Sequence, residues 1–163
     1  MKELDIEPIC IGKFPLPVVF ERVFSNDMLT LMHGDSVKIT SWENNKRIVR
    51  FSVNLENVPM EIKRFFCGSK LRVTSRQILH IEPNLYSVKN KIKMHFLFSE
   101  FFHVKPEFYL EKKSDGGVYF SGKISHSAVL PPPLNSITET FMKASSEREI
   151  TKYKENILHA FIS

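Results

Sequence analysis

Residues 136–160 read SITETFMKASSEREITKYKENILHA and follow Pro131-Pro132-Pro133. Ile137, Phe141, Ala144, Ile150, Tyr153, Ile157, Leu158 and Phe161 recur at roughly helical spacing, and no Gly or Pro interrupts them. The spacing predicts one long amphipathic helix from Ser136 to Ala160. Ser136-Ile137-Thr138-Glu139 has the pattern of a capping box, with Ser136 as N-cap and Glu139 reaching back to it. The apolar stripe thins at Ser145-Ser146, where the helix has room to break. The triple proline stops whatever precedes it.

Upstream the pattern changes to a period of two. Val49, Phe51, Val53 and Leu55 alternate with Arg50, Ser52 and Asn54, which predicts a strand over 47–55. Glu43-Asn44-Asn45-Lys46 is a turn, because Asn tolerates left-handed backbone angles, so 36–42 pairs with 47–55 as a hairpin. Pro59 to Cys67 reads as a short helix closed by Gly68. Strands follow over 70–80, 85–98, 102–112 and 118–128, joined by short turns at Pro83-Asn84 and Asp115-Gly116-Gly117. Short connections between neighbouring strands imply an antiparallel meander. Before all of these, 6–11 reads as a strand and 18–24 as a short helix. Ser25-Asn26-Asp27 restarts a second helical turn over 28–32, which ends at Gly34-Asp35.

The composition bounds the class. A chain of 163 residues, 42% hydrophobic and 25% charged, is one globular domain over 1–163, neither disordered nor, with Cys 2, a disulfide scaffold. No run approaches the roughly 20 apolar residues of a membrane span. The acidic start, Met1-Lys-Glu-Leu-Asp-Ile-Glu7, lacks the basic and apolar regions of a signal peptide. Cys10 and Cys67 show no pairing pattern, so the expectation is a reducing, intracellular setting, at the cytoplasm or an organelle surface, and a monomer. A net charge of +5 is too mild to identify a partner.

An antiparallel sheet that curls around a single long helix leaves a space between the two layers. Large side chains fill it or a cavity remains, and the 14 Phe and 6 Met residues suit either outcome. The element order resembles the helix-grip fold of the START and Bet v 1-like superfamily. Arg50…Val58-Pro59-Met60-Glu61-Ile62-Lys63…Gly68 is similar to a run in PRELI-like phospholipid transfer proteins. Trp42…Arg50 with Gln77 is similar to VASt-type sterol-binding domains. The resemblance implies an α+β fold, a curved antiparallel sheet gripping a long C-terminal helix, with two short helices after the first strand. It also implies a hydrophobic ligand, a lipid or sterol, bound and transferred without bond chemistry.

No pattern signals catalysis. None of His33, His80, His95, His103, His126 and His159 falls in an H-E-x-x-H motif; no phosphate loop and no nucleophile elbow occur. His95 and His103 lie on neighbouring strands, where a hairpin would let them meet. Cys67 sits in an apolar context that raises a thiol's pKa. No cofactor and no metal is expected. Within the expected cavity the candidate ligand-binding residues are Arg50, Asn54, Asn90, Met94, Phe96, Phe98 and Phe141. Lys89, Lys91 and Lys93 alternate with Val88, Ile92 and Met94, so the basic row faces away from the aromatics. That disfavours single-stranded nucleic acid, whose binding needs stacking rings among the bases. Lys63, Arg64, Phe65 and Phe66 are candidates for a gate that docks on an anionic membrane. Two rivals stay open: a protein-interaction module with a filled core, and a helix-grip enzyme of the cyclase or hydratase kind.

Overall fold

The computed structural model describes residues 2–56, 58–64, 70–96 and 99–162. The elements are β1 (Lys2–Gly12), α1 (Leu16–Val23), α2 (Asn26–His33), β2 (Lys38–Ile39), β3 (Lys46–Asn54), α3 (Met60–Lys63), β4 (Lys70–Glu82), β5 (Leu85–His95), a 3₁₀ turn (Ser99–Phe101), β6 (Phe102–Lys112), β7 (Val118–Ala128) and α4 (Leu134–Ile162). All strand pairs are antiparallel, and the seven strands run β1-β7-β6-β5-β4-β3-β2 across one curved sheet. α4 lies along its inner face. This is the helix-grip architecture expected from the order of the elements.

Local chemistry explains most boundaries. Asn44 and Asn45 take φ of 51° and 61°, which closes the β2–β3 hairpin. Ser25 Oγ accepts the Met28 amide at 3.0 Å and so caps α2, while Gly34 at φ 88° ends it. The β2 strand is far shorter than the expected 36–42. The Thr40 amide still donates to the Ile48 carbonyl at 3.0 Å, but the Ile48 amide donates to the Thr40 hydroxyl at 2.8 Å rather than to its carbonyl, so the ladder ends there. The β5–β6 ladder runs from Leu85↔Glu111 to Lys89↔Glu107 and stops where Pro106 has no amide to give. Asn90 Nδ2 instead donates to the Pro106 carbonyl at 3.3 Å. Beyond that point β5 pairs only with β4.

α4 differs from the expectation at its start. It begins at Leu134, so Ser136 lies inside the helix, where its carbonyl accepts the Thr140 hydroxyl at 3.0 Å. Glu139 forms an ion pair with Lys2 at 2.8 Å rather than a capping box. The helix continues through Ser145-Ser146 to Ile162 without a break. Its C-terminal half packs on the short helices and the sheet, where Val19, Val23, Phe120 and Ile157 are fully buried. Each such side chain contributes about 1.5–3 kcal/mol on removal from water. Tyr153 Oη donates to the Val23 carbonyl at 2.8 Å, and Lys152 Nζ donates to the Met32 carbonyl at 3.2 Å. These bonds tie α4 to α1 and α2. Among the described residues, no helix is long and apolar enough to cross a membrane.

Candidate ligand cavity

The N-terminal half of α4 touches the sheet where Glu139 pairs with Lys2 and where Met142 packs with Phe102 and Ala128, but it does not fill the space over the rest. A cavity of about 530 Å³ lies between them, within the range of small-molecule sites. Leu71, Val73, Ile92 and Met94 form its floor, Phe102, Val104 and Phe108 one wall, and Phe141, Met142 and Ile150 of α4 its roof. The splayed ends of β5 and β6 widen it, since residues from both sides of the split line it. Exposed Val53 and Asn54 and half-buried His33 belong to the same lining, which places the rim at the end of β3 and α2.

A row of polar side chains crosses the inner face. Arg47, Gln77 and Asn90 are register neighbours on β3, β4 and β5. Arg47 Nε donates to Gln77 Oε1 at 2.6 Å; Gln77 Nε2 and Ser75 Oγ donate to Asn90 Oδ1 at 2.8 and 3.0 Å. All four residues are buried. Arg47 Nη1 donates to the Phe24 carbonyl at 2.9 Å, and the guanidinium lies 4.4 Å from the centre of the Trp42 ring. Burial pulls the Arg47 pKa down to about 10, with the Tyr153 side chain acting weakly the other way. Ser75, Gln77 and Asn90 line the cavity, so its floor carries a belt of amides and a hydroxyl bonded to one another.

Titratable groups of the lining are shifted by the same desolvation. His33 stacks on Phe51 with ring centroids 3.8 Å apart. Burial, and then the neighbouring Lys152 charge, bring its pKa down to about 4. Burial holds the Tyr153 phenol well above its usual range. Glu149, exposed by surface area yet set on the cavity lining, has its carboxyl raised chiefly by desolvation.

The expected ligand residues separate into groups. Asn54, Asn90, Met94 and Phe141 line the cavity. Arg50 does not. It is exposed on the outer face of β3, because the alternation that turns Val49 and Phe51 inward turns Arg50 outward. Arg47, two residues earlier in the same alternation as Val49, is the buried arginine. Counting down from Val49 by twos reaches it, and this was the signal to follow. Asn54 is occupied locally, since its Oδ1 accepts the Glu56 amide at 2.9 Å. Phe96 is half-buried and packs edge-on against Phe102 at 5.1 Å, outside the cavity lining. Phe98 lies outside the described residues. Of the gate candidates, Lys63 is half-buried and Arg64 exposed, while Phe65 and Phe66, with Cys67 and Gly68, lie outside the described residues. His95 meets the Thr74 hydroxyl at 2.8 Å rather than His103, whose register partner is Ser127. Lys89, Lys91 and Lys93 are exposed on the outer face, as their alternation requires. Among the described residues no group of three or more His, Cys, Asp or Glu is placed to hold a metal.

No family model and no curated protein matches the sequence. Solved structures do match in fold. The Zhui aromatase/cyclase from Streptomyces sp. R1128 aligns over 98% of this chain and 92% of its own, at a TM-score of 0.67 and 12% identity. TTHA0849 from Thermus thermophilus aligns over 98% and 99%, at a TM-score of 0.59 and 14% identity. Ara h 8.0201 aligns over 97% and 98%, at a TM-score of 0.56 and 16% identity. At these identities the likeness establishes the helix-grip fold shared by Bet v 1-like proteins and cyclases, over essentially the whole chain.

Proposed function

We propose that this protein binds a hydrophobic small molecule, a lipid or a sterol, in the cavity between sheet and α4, and hands it on without chemical change. The observation that carries the reading is the cavity itself, about 530 Å³ and walled mainly by aliphatic and aromatic side chains. Each CH₂ moved from water into such a site contributes about 0.8 kcal/mol. The open space weighs against a filled-core interaction module. The belt of Ser75, Gln77 and Asn90 weighs against proton-transfer catalysis on the cavity floor, since amides and a hydroxyl have no pKa near neutrality. The cyclase among the structural neighbours keeps an enzymatic reading in view.

Transfer would take place at an anionic membrane. Lys63 and Arg64 follow exposed Met60, and exposed Val53 and Leu31 belong to the neighbouring strand and helix, a mixture suited to a lipid interface. The test is native mass spectrometry of the purified protein before and after incubation with mixed liposomes, with extraction of any bound mass. One lipid or sterol per chain supports the reading, and Met94→Trp, which fills the floor, should abolish it. A ligand-free mass under both conditions refutes the carrier and moves weight to an interaction module.

A further inference from the structure

Charge is spread unevenly over the sheet. Arg50 on β3, Arg72 and Arg76 on β4, and Lys89, Lys91 and Lys93 on β5 are all exposed on the face turned away from α4. The register sets them out as a lattice. Lys38 faces Arg50, Arg76 faces Lys91, and Arg50 and Lys93 flank Thr74. Glu82, the last residue of β4, is the only acid within strands β2 to β5. Lys89 opposes Glu107 of β6, but that carboxylate pairs with Lys123 at 3.8 Å, which marks the edge of the field. Among the described residues none of the arginines and lysines of the lattice forms an ion pair. Together with Lys38 they carry more positive charge than the net +5 of the whole chain, so the remainder is net negative.

Like charges set directly opposite across a ladder destabilise a sheet. A surface of mixed sign avoids that cost and is soluble all the same. A field of one sign over one face attracts a polyanion. The neighbouring side chains indicate which kind. Ile78 is 38% exposed on the same face, with Lys46 opposite it on β3 and Lys89 opposite it on β5. An apolar side chain between two lysines suits the boundary of lipid headgroups and acyl chains. Among the described residues no Phe, Tyr or Trp shares this face of β3, β4 and β5, so the bases of a nucleic acid strand find no ring to stack on. The lattice also runs into the cavity rim, because Ser52, the register partner of Arg72, lines the cavity. We propose that the outer face of β3, β4 and β5 is the surface by which the protein adsorbs to an anionic bilayer, with the cavity rim at its edge. The inference rests on the reading that the protein works at an anionic membrane, and adds the surface that holds it there.

The test is co-sedimentation of the intact protein with phosphatidylcholine vesicles that contain phosphatidylserine, against vesicles of phosphatidylcholine alone. The parent should sediment only with the anionic vesicles, and should be released as NaCl rises from about 0.05 M to about 0.5 M, where the screening length falls to a few ångströms. Arg76→Gln combined with Lys91→Gln should weaken vesicle binding about 25-fold, at about fivefold for each cation near the surface. This pair should melt no lower than the parent, because it removes opposed like charges. Lys13 and Lys112 are exposed at the far end of the sheet, where Gly12 and Lys112 flank Val118. Lys13→Gln combined with Lys112→Gln removes the same charge there and should bind vesicles nearly as the parent does. Equal weakening by the two pairs makes net charge the cause and overturns the assignment to this face. So does parent-like binding by the Arg76 and Lys91 pair, or binding that survives the high salt. A lower melting temperature for that pair shows that the two cations serve the fold, and also overturns it. A parent that sediments with neither kind of vesicle refutes the membrane reading beneath it, and retention of a DNA duplex by that same protein assigns the face to nucleic acid instead.

Discussion

Tyr153→Phe removes one atom from the joint that holds α4 to α1. The phenol is buried and donates to the Val23 carbonyl at 2.8 Å, at the C-terminal end of α1. The ring meets Phe24, Phe108 and Phe120 edge-on at 6.5, 5.5 and 5.3 Å, and all three contacts survive the substitution. What remains is a buried carbonyl without that donor, a loss of about 1–3 kcal/mol. For a chain of this length that is roughly a 4–8 °C fall in Tm, taking about 2 kcal/mol as the centre. The effect has a pH signature. Burial raises the Tyr153 pKa, so the folded state keeps a proton that the unfolded phenol gives up near pH ~10. That contribution is complete below about pH 10 and is lost as the pH rises above it, and only the parent protein has it to lose. Urea titrations followed by circular dichroism and by the fluorescence of Trp42 should therefore show a gap between parent and variant at about pH 7 that narrows at about pH 11. Equal midpoints near neutrality, or a gap independent of pH, would refute the reasoning.

Arg47→Ala should cost about 3 kcal/mol, because it strips the Gln77 and Phe24 oxygens of their donor and leaves a cavity beside Trp42; the same urea titration measures it, with a change in Trp42 emission expected alongside. Gly122→Ala should prevent stable folding, since a Cβ there runs into the Glu107 carbonyl oxygen, backbone that cannot swing aside; a thermal melt equal to the parent's would contradict it. His33 should titrate with a midpoint of about 4 by NMR. Its neutral ring favours the folded state above pH 6.5, a contribution lost as the pH falls from 6.5 through about 4, and a midpoint near 6.5 would show the ring to be solvated.

The parts of the fold that were legible in the sequence are those where period and punctuation agree. The 102–112 and 118–128 strands carry clear alternation and a Gly-rich turn between them, and both form over those same residues. The stripe from Ile137 to Phe161 likewise sufficed to place the long helix. Boundaries that depend on side chains bonding to backbone were not readable in advance. Thr40 cuts β2 short and Pro106 ends a ladder that alternation alone would have continued. In the site, alternation correctly turned Asn90 and Met94 inward and the Lys89-Lys91-Lys93 row outward. It was misapplied at Arg50, chosen by its likeness to a family run, while Arg47 kept the phase of Val49. The burial of Thr138 Oγ1 and of the His126 ring nitrogens without a hydrogen-bond partner had no signal at all, since a missing partner exists only once the elements are packed.

The strand order has a further consequence, in the time the chain takes to fold. β1 joins the sheet only through β7, where Lys2 pairs with His126. Closing so long a loop is entropically slow, whereas β3 to β7 form from neighbours in sequence. The meander is therefore expected to assemble first, and the first strand to wait for the seventh. Until the meander forms, the faces of α1 and α2 that carry Val19, Val23 and Met28 lack the Leu79, Val88 and Leu110 side chains they pack against, and α4 comes later still. On a ribosome the same interval lasts until β7 and α4 have emerged, so β1, α1 and α2 are made well before the elements that cover them.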